Sequence, residues 1–578
     1  MSLQHDAPAR APALAAATEQ APHAQPAQPA QPHQLEKHEK RLDAGNRHHD
    51  HYARRLPKWR NDLRNRLIPI VRWETPWLAW MQDSLRSPAL DTYFAYTANL
   101  GTHTFFMVFL PIQFWCGYTS LGRATVFMLA AGIYWSGFLK DMLCLPRPLS
   151  PPLARISMSG SAALEYGFPS SHSTNAVSVT IYAIYMLRQS DEYSPAVNIG
   201  LQALFYVYAI SIIVGRLYCG MHGFLDVLVG SVLGAVITVF QLVLSDWIDS
   251  WIFSGSYKDV IIATLVIFVL VRIHPEPADD CPCFDDSVAF SGVVVGINIG
   301  AWHYAQSGFA INDVYPSTVP FELAKIGLPT AIARTLLGVV VIFIWRATAK
   351  PALFKILPPI FRLLERGRMN LPRAFFLNAS SYTSIPNMRD DDNVIPPASQ
   401  LPQMLKNLAH PRKRSVSVGP QSASDAYETL AYRNRRRRES VNSSDGIPED
   451  LEWSTTPQVV PPTAEKGQTQ LGAGLLPTPM TSRVQSYERM MGTGDTHGFE
   501  GEMNTPPDSD TDFAGDLSLK SEEENEKREI FMKLTKPRVR YDVEVVTKLI
   551  VYTGIGMLAV GIDPIIFEMV GLGMGIRP

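Results

Sequence analysis

Hydrophobic positions in this chain come in long unbroken blocks, not in alternation. Candidate blocks run over about 93–117, 122–144, 174–188, 198–218, 224–246, 258–273, 288–305, 329–347 and 545–569. Each is close to the roughly twenty apolar residues that cross a bilayer as a helix. A β-barrel would show period-two alternation in short segments instead. The pattern therefore predicts an all-α, polytopic membrane bundle with about 8–9 spans. Two blocks, "GSVLGAV" and "GVVVGINIGA", carry small residues on one side, which lets helices approach closely.

Between and around the blocks the pattern changes. Residues 1–52 are rich in Ala, Pro, Gln and His and read as a disordered tail; their histidines suggest either metal binding or plain solvation. The start lacks the charged-then-apolar order of a signal peptide. Residues 53–90 are basic and aromatic, which suits an amphipathic helix on the membrane surface, with Trp at headgroup level and Arg facing phosphates. A membrane core would then cover 91–350, a basic juxtamembrane stretch 351–369, a disordered insertion 370–540, and a final span 541–578. Within the insertion, "RKRSVSV" (Ser415, Ser417) and "RRRRESVNSS" (Ser440) read as kinase targets, as anionic-lipid contacts or as solvated charge runs.

Composition adds two exclusions. The net charge of −2 points to no polyanionic partner, and nucleic acid is not expected. Five cysteines, an odd and sparse set, do not make a disulfide framework, and the Cys281-Pro-Cys283 pair has no second ligand pair beside it. They read as ordinary thiols with no metal site.

Three polar clusters interrupt the apolar pattern at block ends. In "KDMLCLPRP", Lys140 and Arg147 sit in a turn forced by prolines, where two cations can converge on an anion. In "FPSSHSTNA", Ser170 or Ser171 is a plausible N-cap of the following helix, whose first turn offers free N–H groups and a positive dipole end. His172 lies within or beside that turn. In "GRLYCGMHGFLD", His222 and Asp226 share a helix face if helical, so the carboxylate can fix the ring tautomer, and Arg216 supplies a bidentate clamp for phosphate oxygens. Together these are the parts that phosphoryl transfer from a lipid monoester requires.

The order Lys-x6-Arg-Pro, Pro-Ser-x-His and Arg-x5-His-x3-Asp, at Lys140/Arg147/Pro148, Pro169/Ser170/His172 and Arg216/His222/Asp226, resembles the signature of the type 2 phosphatidic acid phosphatase superfamily. More narrowly, it is similar to the long-chain base-1-phosphate phosphatases of the endoplasmic reticulum. Ser171 and Gly215 depart from the commonest pattern, in which Gly and Ser stand there. The resemblance implies the following roles: His222 attacks phosphorus, Asp226 steadies it, His172 serves the leaving alkoxide and then water, and Lys140, Arg147, Ser170, Ser171 and Arg216 hold the phosphate. It further implies no cofactor, a phosphorylated sphingoid lipid as substrate, membrane lipids as surroundings, and a multi-pass protein of the endoplasmic reticulum membrane with a lumenal site.

Other readings remain open at this stage. Phosphatidic acid or a polyprenyl diphosphate would suit the same headgroup site. A transporter would place its polar residues at block midpoints, and a catalytically dead lipid-binding scaffold would lack catalytic positions that are filled here. Arg and Lys crowd 54–72 and 346–368, and counting spans puts both on the side of 140–172, which the positive-inside bias would make cytosolic.

Overall fold

The computed structural model describes residues 44–575, apart from 386–539 and short stretches at 102, 151, 157–164, 192, 255, 313–314, 369–372 and 384. Most of the two tracts expected to be disordered, with Ser415, Ser417 and Ser440, lies outside the described residues.

The described residues are helical almost throughout. In chain order the helices are α1 (His49–Arg55), α2 (Lys58–Leu85), α3 (Pro88–Thr97), α4 (His103–Trp115), α5 (Thr119–Leu143), α6 (Ser171–Gln189) and α7 (Pro195–Tyr218). They continue with α8 (Phe224–Ser254), α9 (Tyr257–Ile273), α10 (Cys283–Ala305), α11 (Leu323–Ile326), α12 (Leu328–Arg366), α13 (Val543–Met557) and α14 (Asp563–Met569). Among the described residues, β-structure amounts to a two-residue parallel pairing of β1 (Phe376–Leu377) with β2 (Arg540–Tyr541) and one isolated bridge.

Every apolar block contains helix, so the all-α membrane reading holds. Among the described residues, six helical stretches are long and apolar enough to cross a bilayer: Thr119–Leu143, Pro195–Tyr218, Phe224–Phe253, Cys283–Ala305, Leu328–Arg366 and Val543–Met569. The block at 93–117 is not one helix. It divides into α3, a 3₁₀ turn over Ala98–Gly101, and α4, the turn ending at Gly101, a poor helix former.

The small-residue pattern is realised as a seam between α10 and α13. A Cβ on Gly292 would stand 2.8 Å from the Leu549 carbonyl oxygen, and one on Gly300 3.0 Å from Met557 Cα; one on Gly296 would run into the Thr553 carbonyl. Bare backbone is what lets the two axes come this close. Directly after Met557, α13 gives way to a π-helical turn over Leu558–Ile562. There Trp115, fully buried, donates its indole N–H to the Ala559 carbonyl at 2.9 Å.

Helix α2 is amphipathic as expected, but its inner face is polar. Trp59, Trp73 and Trp80 are exposed, while Arg60, Arg64, Glu74 and Gln82 are buried. Arg60 donates to the Asp141 and Met142 carbonyls at 2.6 and 2.8 Å, and Arg64 to Cys144 O at 3.2 Å. These two arginines thus cap the last carbonyls of α5, orphaned by the helix end, instead of facing phosphates as the sequence reading had it. Gln82 donates to Tyr218 O and Ala154 O at 2.7 and 2.9 Å. The basic helix therefore lies at the same rim as residues 140–147, in agreement with span counting.

The cysteine reading needs a correction. Cys281 and Cys283, one residue apart at the start of α10 with Cα atoms 5.5 Å apart, form a disulfide. Cys116, Cys144 and Cys219 are free thiols.

Candidate active site

Four consecutive long helices alternate direction, so the end of α5, the start of α6, the end of α7 and the start of α8 meet at one rim. These are the positions of the three polar clusters.

Ser170 is the N-cap of α6. Its fully buried Oγ accepts from the Ser173 N–H at 3.3 Å and lies 3.0 Å from Ser173 Oγ. Its own N–H donates to the Asp226 carbonyl at 3.0 Å, tying the second cluster to the third. Ser171 and His172 open the helix, so their N–H groups precede its first internal bond. The start of α8 lies flush against this turn, because a Cβ on Gly230 would stand 2.5 Å from the Ser170 carbonyl oxygen and one on Gly234 would run into that of Thr174. The "GSVLGAV" run therefore serves the site directly.

Helix α7 ends in a reversal at Gly220, whose φ of +61° suits a residue without a Cβ. The Arg216 carbonyl accepts from the Met221 and His222 N–H groups at 3.2 and 3.4 Å, which folds His222 back over the end of α7. Arg216 is buried, and among the described residues its Nε has no hydrogen-bond partner. Gly215 departs from the family pattern for a visible reason, since a Cβ there would press within 2.9 Å of the Phe94 ring.

Arg147 ties the first cluster to the third and to Glu165, just ahead of the second. Its Nη1 donates to the Met221 carbonyl at 2.7 Å and lies 3.4 Å from His222 Nε2; its Nε donates to the Glu165 carbonyl at 3.1 Å. The Glu165 carboxylate receives both cations through one oxygen, with Lys140 Nζ and Arg147 Nη2 each 3.3 Å from Oε2.

The tautomer of His222 follows from its neighbours. Nδ1 lies 2.9 Å from the Gly167 carbonyl oxygen, which can only accept, so Nδ1 carries the proton and Nε2 presents its lone pair. Asp226 Oδ2 stands further off, at 3.5 Å, and accepts from the Gly223 N–H at 2.9 Å. The Gly167 carbonyl thus shares the orienting role that sequence reasoning gave to Asp226 alone. Burial first, and then the charges of Arg147, Lys140, Arg216 and His172, hold the His222 imidazole well below the usual histidine range. Arg147 thus stands beside this ring, and the charges of Lys140 and Arg216 also act on it.

Sequence reasoning missed three contributors: Gly167, Glu165 and Glu74. Glu74, on α2, is buried and accepts from the Leu225 N–H at 2.8 Å in the first turn of α8. Its other carboxylate oxygen touches the position a Cβ on Gly223 would take. Burial raises its carboxyl above the usual range. The Glu165-Tyr166-Gly167 triplet stands immediately before "FPSSHSTNA", and these charged and backbone-permissive residues ahead of Phe168 were the available signal; Glu74 had none.

Comparison with known proteins agrees with this geometry. The PAP2 superfamily model matches residues 121–249, the stretch holding all three clusters. A dihydrosphingosine 1-phosphate phosphatase of Schizosaccharomyces pombe is 41% identical over 53% of this chain and 73% of its own. One of Saccharomyces cerevisiae is 33% identical over 55% and 78%. Sphingosine-1-phosphate phosphatase 2 of Homo sapiens is 26% identical over 48% and 68%. No solved structure matches the chain. The motif geometry and the extent of the match to the fission yeast protein together assign this chain to the PAP2 superfamily.

Proposed function

We propose that this chain is a lipid phosphate phosphatase that hydrolyses sphingoid long-chain base 1-phosphates. The observation that carries the reading is the state of His222: Nδ1–H is held by a carbonyl, and Nε2 faces Arg147 with its lone pair available. Burial and neighbouring cations keep the ring neutral, as a nucleophile must be.

In the first step Nε2 attacks phosphorus and the P–O bond to the lipid breaks. The leaving alkoxide takes a proton from His172, giving a phosphohistidine and the free long-chain base. In the second step His172 takes a proton from water, the oxygen attacks phosphorus, the P–N bond breaks and inorganic phosphate leaves. Lys140, Arg147 and Arg216 neutralise the equatorial oxygens, and the N–H groups at the start of α6 add the helix dipole. Ser170 Oγ, which accepts within its own cap, keeps its proton to donate. Asp226, through the Gly223 N–H and the His222 ring, steadies the nucleophile during charge development.

The names of the relatives above support the sphingoid substrate over phosphatidic acid or a polyprenyl diphosphate. The test is phosphate release from dihydrosphingosine 1-phosphate and from phosphatidate by membranes containing the full chain, in EDTA. Turnover in EDTA that prefers the sphingoid substrate and is abolished in His222→Ala is expected. Sustained turnover by that variant overturns the nucleophile assignment, and a preference for phosphatidate overturns the substrate.

The reading extends to the endoplasmic reticulum as location and to a lumenal site. Arg60 and Arg64 are consumed as buried ligands of carbonyls, which removes them from the free positive charge that biases topology. Glycosylation acceptors placed in the loops would report the side. The serines at 415, 417 and 440 are proposed kinase targets, checked by phosphopeptide mapping.

A further inference from the structure

One feature of the site is at odds with phosphate binding alone. Lys140 and Arg147, the two cations of the first cluster, both point at the same oxygen of Glu165. A carboxylate among phosphate-binding cations weakens their hold on an anion, because like charges disfavour each other at close range. The Glu165 side chain is also the accessible member of the group, at 27% exposure against 4% and 5% for its two partners. It therefore stands at the mouth of the anion site, not behind it.

The chemistry of the substrate class resolves this. A sphingoid base 1-phosphate differs from other lipid monoesters at one position next to the reacting group: the carbon adjacent to the phosphate-bearing carbon holds an ammonium. Lysophosphatidate has a hydroxyl at that carbon, and ceramide 1-phosphate an amide. The ammonium is only a few bonds from phosphorus, so once the phosphate sits on Lys140 and Arg147 it must lie beside whatever borders those cations. Glu165 borders both.

We propose that Glu165 is the specificity residue that reads the ammonium of the substrate. With the site empty, its carboxylate is held by Lys140 and Arg147. When a phosphate takes those cations, Glu165 exchanges them for the ammonium, so the charge it gives up is recovered only with an amino-bearing lipid. A monoester without that cation takes Lys140 and Arg147 from Glu165 and brings no cation in return. Discrimination thus comes from a penalty on the wrong headgroup as much as from attraction to the right one. This deepens the proposed function and rests on its assignment of Lys140, Arg147 and His222.

The experiment compares kcat/KM for dihydrosphingosine 1-phosphate and for lysophosphatidate of matched chain length. It uses the full chain in membranes, as wild type, Glu165→Gln and Glu165→Ala. Gln keeps the size and one acceptor oxygen but not the charge. The ratio favouring the amino lipid is expected to fall about tenfold or more in both variants, as for loss of a charge-assisted contact. An unchanged ratio, whether both rates fall together or neither moves, overturns the proposal, because a purely structural role for Glu165 scales both substrates alike. His222→Ala in parallel separates the two levels. If that variant is inactive and the wild type favours the amino lipid, an unchanged ratio sinks the Glu165 assignment alone; a wild type favouring lysophosphatidate sinks the substrate reading beneath it.

Discussion

The rim around α2 and the seam between α10 and α13 hold helices together by opposite means. At the rim, charged and amide side chains reach across to backbone: Arg60 and Arg64 to the end of α5, Glu74 to the start of α8, Gln82 to the end of α7. At the seam, glycines let one backbone rest on another, flanked by buried apolar side chains such as Ile297, Val551 and Ile555. The difference follows from the helix parts involved. Helix ends expose unpaired N–H and C=O groups that need partners. Helix middles are internally satisfied and, within a bilayer, gain from close van der Waals packing instead. The active site is built where the first means applies, so its residues are held by directional bonds. The seam provides a fixed frame behind it.

The largest effect is expected from breaking the frame. Gly296→Leu forces a side chain against the Thr553 backbone, which cannot swing aside. It should cost about 3 kcal/mol, the upper end for overpacking, visible as a lower Tm in detergent and a loss of folded protein. Gly200→Leu is the control, because nothing lies within 4 Å of a Cβ at Gly200, and its Tm should match the wild type.

Next in size is the rim. Glu74→Ala removes the acceptor of the Leu225 N–H and should lower kcat about ten- to hundredfold by loosening the turn that carries His222 and Asp226, with KM little changed. Glu74→Gln retains an acceptor oxygen and should restore most of that loss. If Gln is as damaging as Ala, the bond to Leu225 is not the reason.

The smallest effect is a shift in pH dependence. Lys140 is one of the charges that lower the His222 pKa, so the free ring stays neutral down to pH values below about 6.5. Lys140→Met removes part of that field, the pKa rises towards its ordinary value, and the acid limb of kcat/KM moves to higher pH. The substrate's own titration is common to both enzymes and cancels in the comparison. A limb that stays in place would mean that the charge of Lys140 is not felt at His222.

What could be read from the sequence divides along the same line. Continuous apolar blocks pointed to every long helix except α2, which its basic and aromatic pattern marked, and the short spacing of Arg216, His222 and Asp226 gave the neighbourhood of the proposed nucleophile, because all of these are local in the sequence. "GVVVGINIGA" announced a close-packing face, although not that its partner lies some 250 residues away near Gly554–Gly561. Glu74 was invisible, since a lone acid on a basic aromatic helix reads as solvated and its partner is a backbone N–H with no side-chain signature. Arg60 and Arg64 misled for the same reason: a carbonyl partner leaves no trace in the one-letter code. Gly167 contributes only its carbonyl, and that contribution depends on the fold of the turn ahead of α6.

The short pairing of Phe376–Leu377 with Arg540–Tyr541 has a bearing on how this chain varies in length. Residue 377 and residue 541 are sequence-distant yet side by side, so the two ends of the tract between them meet at a single point. Closing a chain of that length onto itself costs free energy that rises only with the logarithm of its length. Sequence can therefore be added or removed between the two strands without re-threading a single transmembrane helix, which makes this junction a point of low-cost insertion.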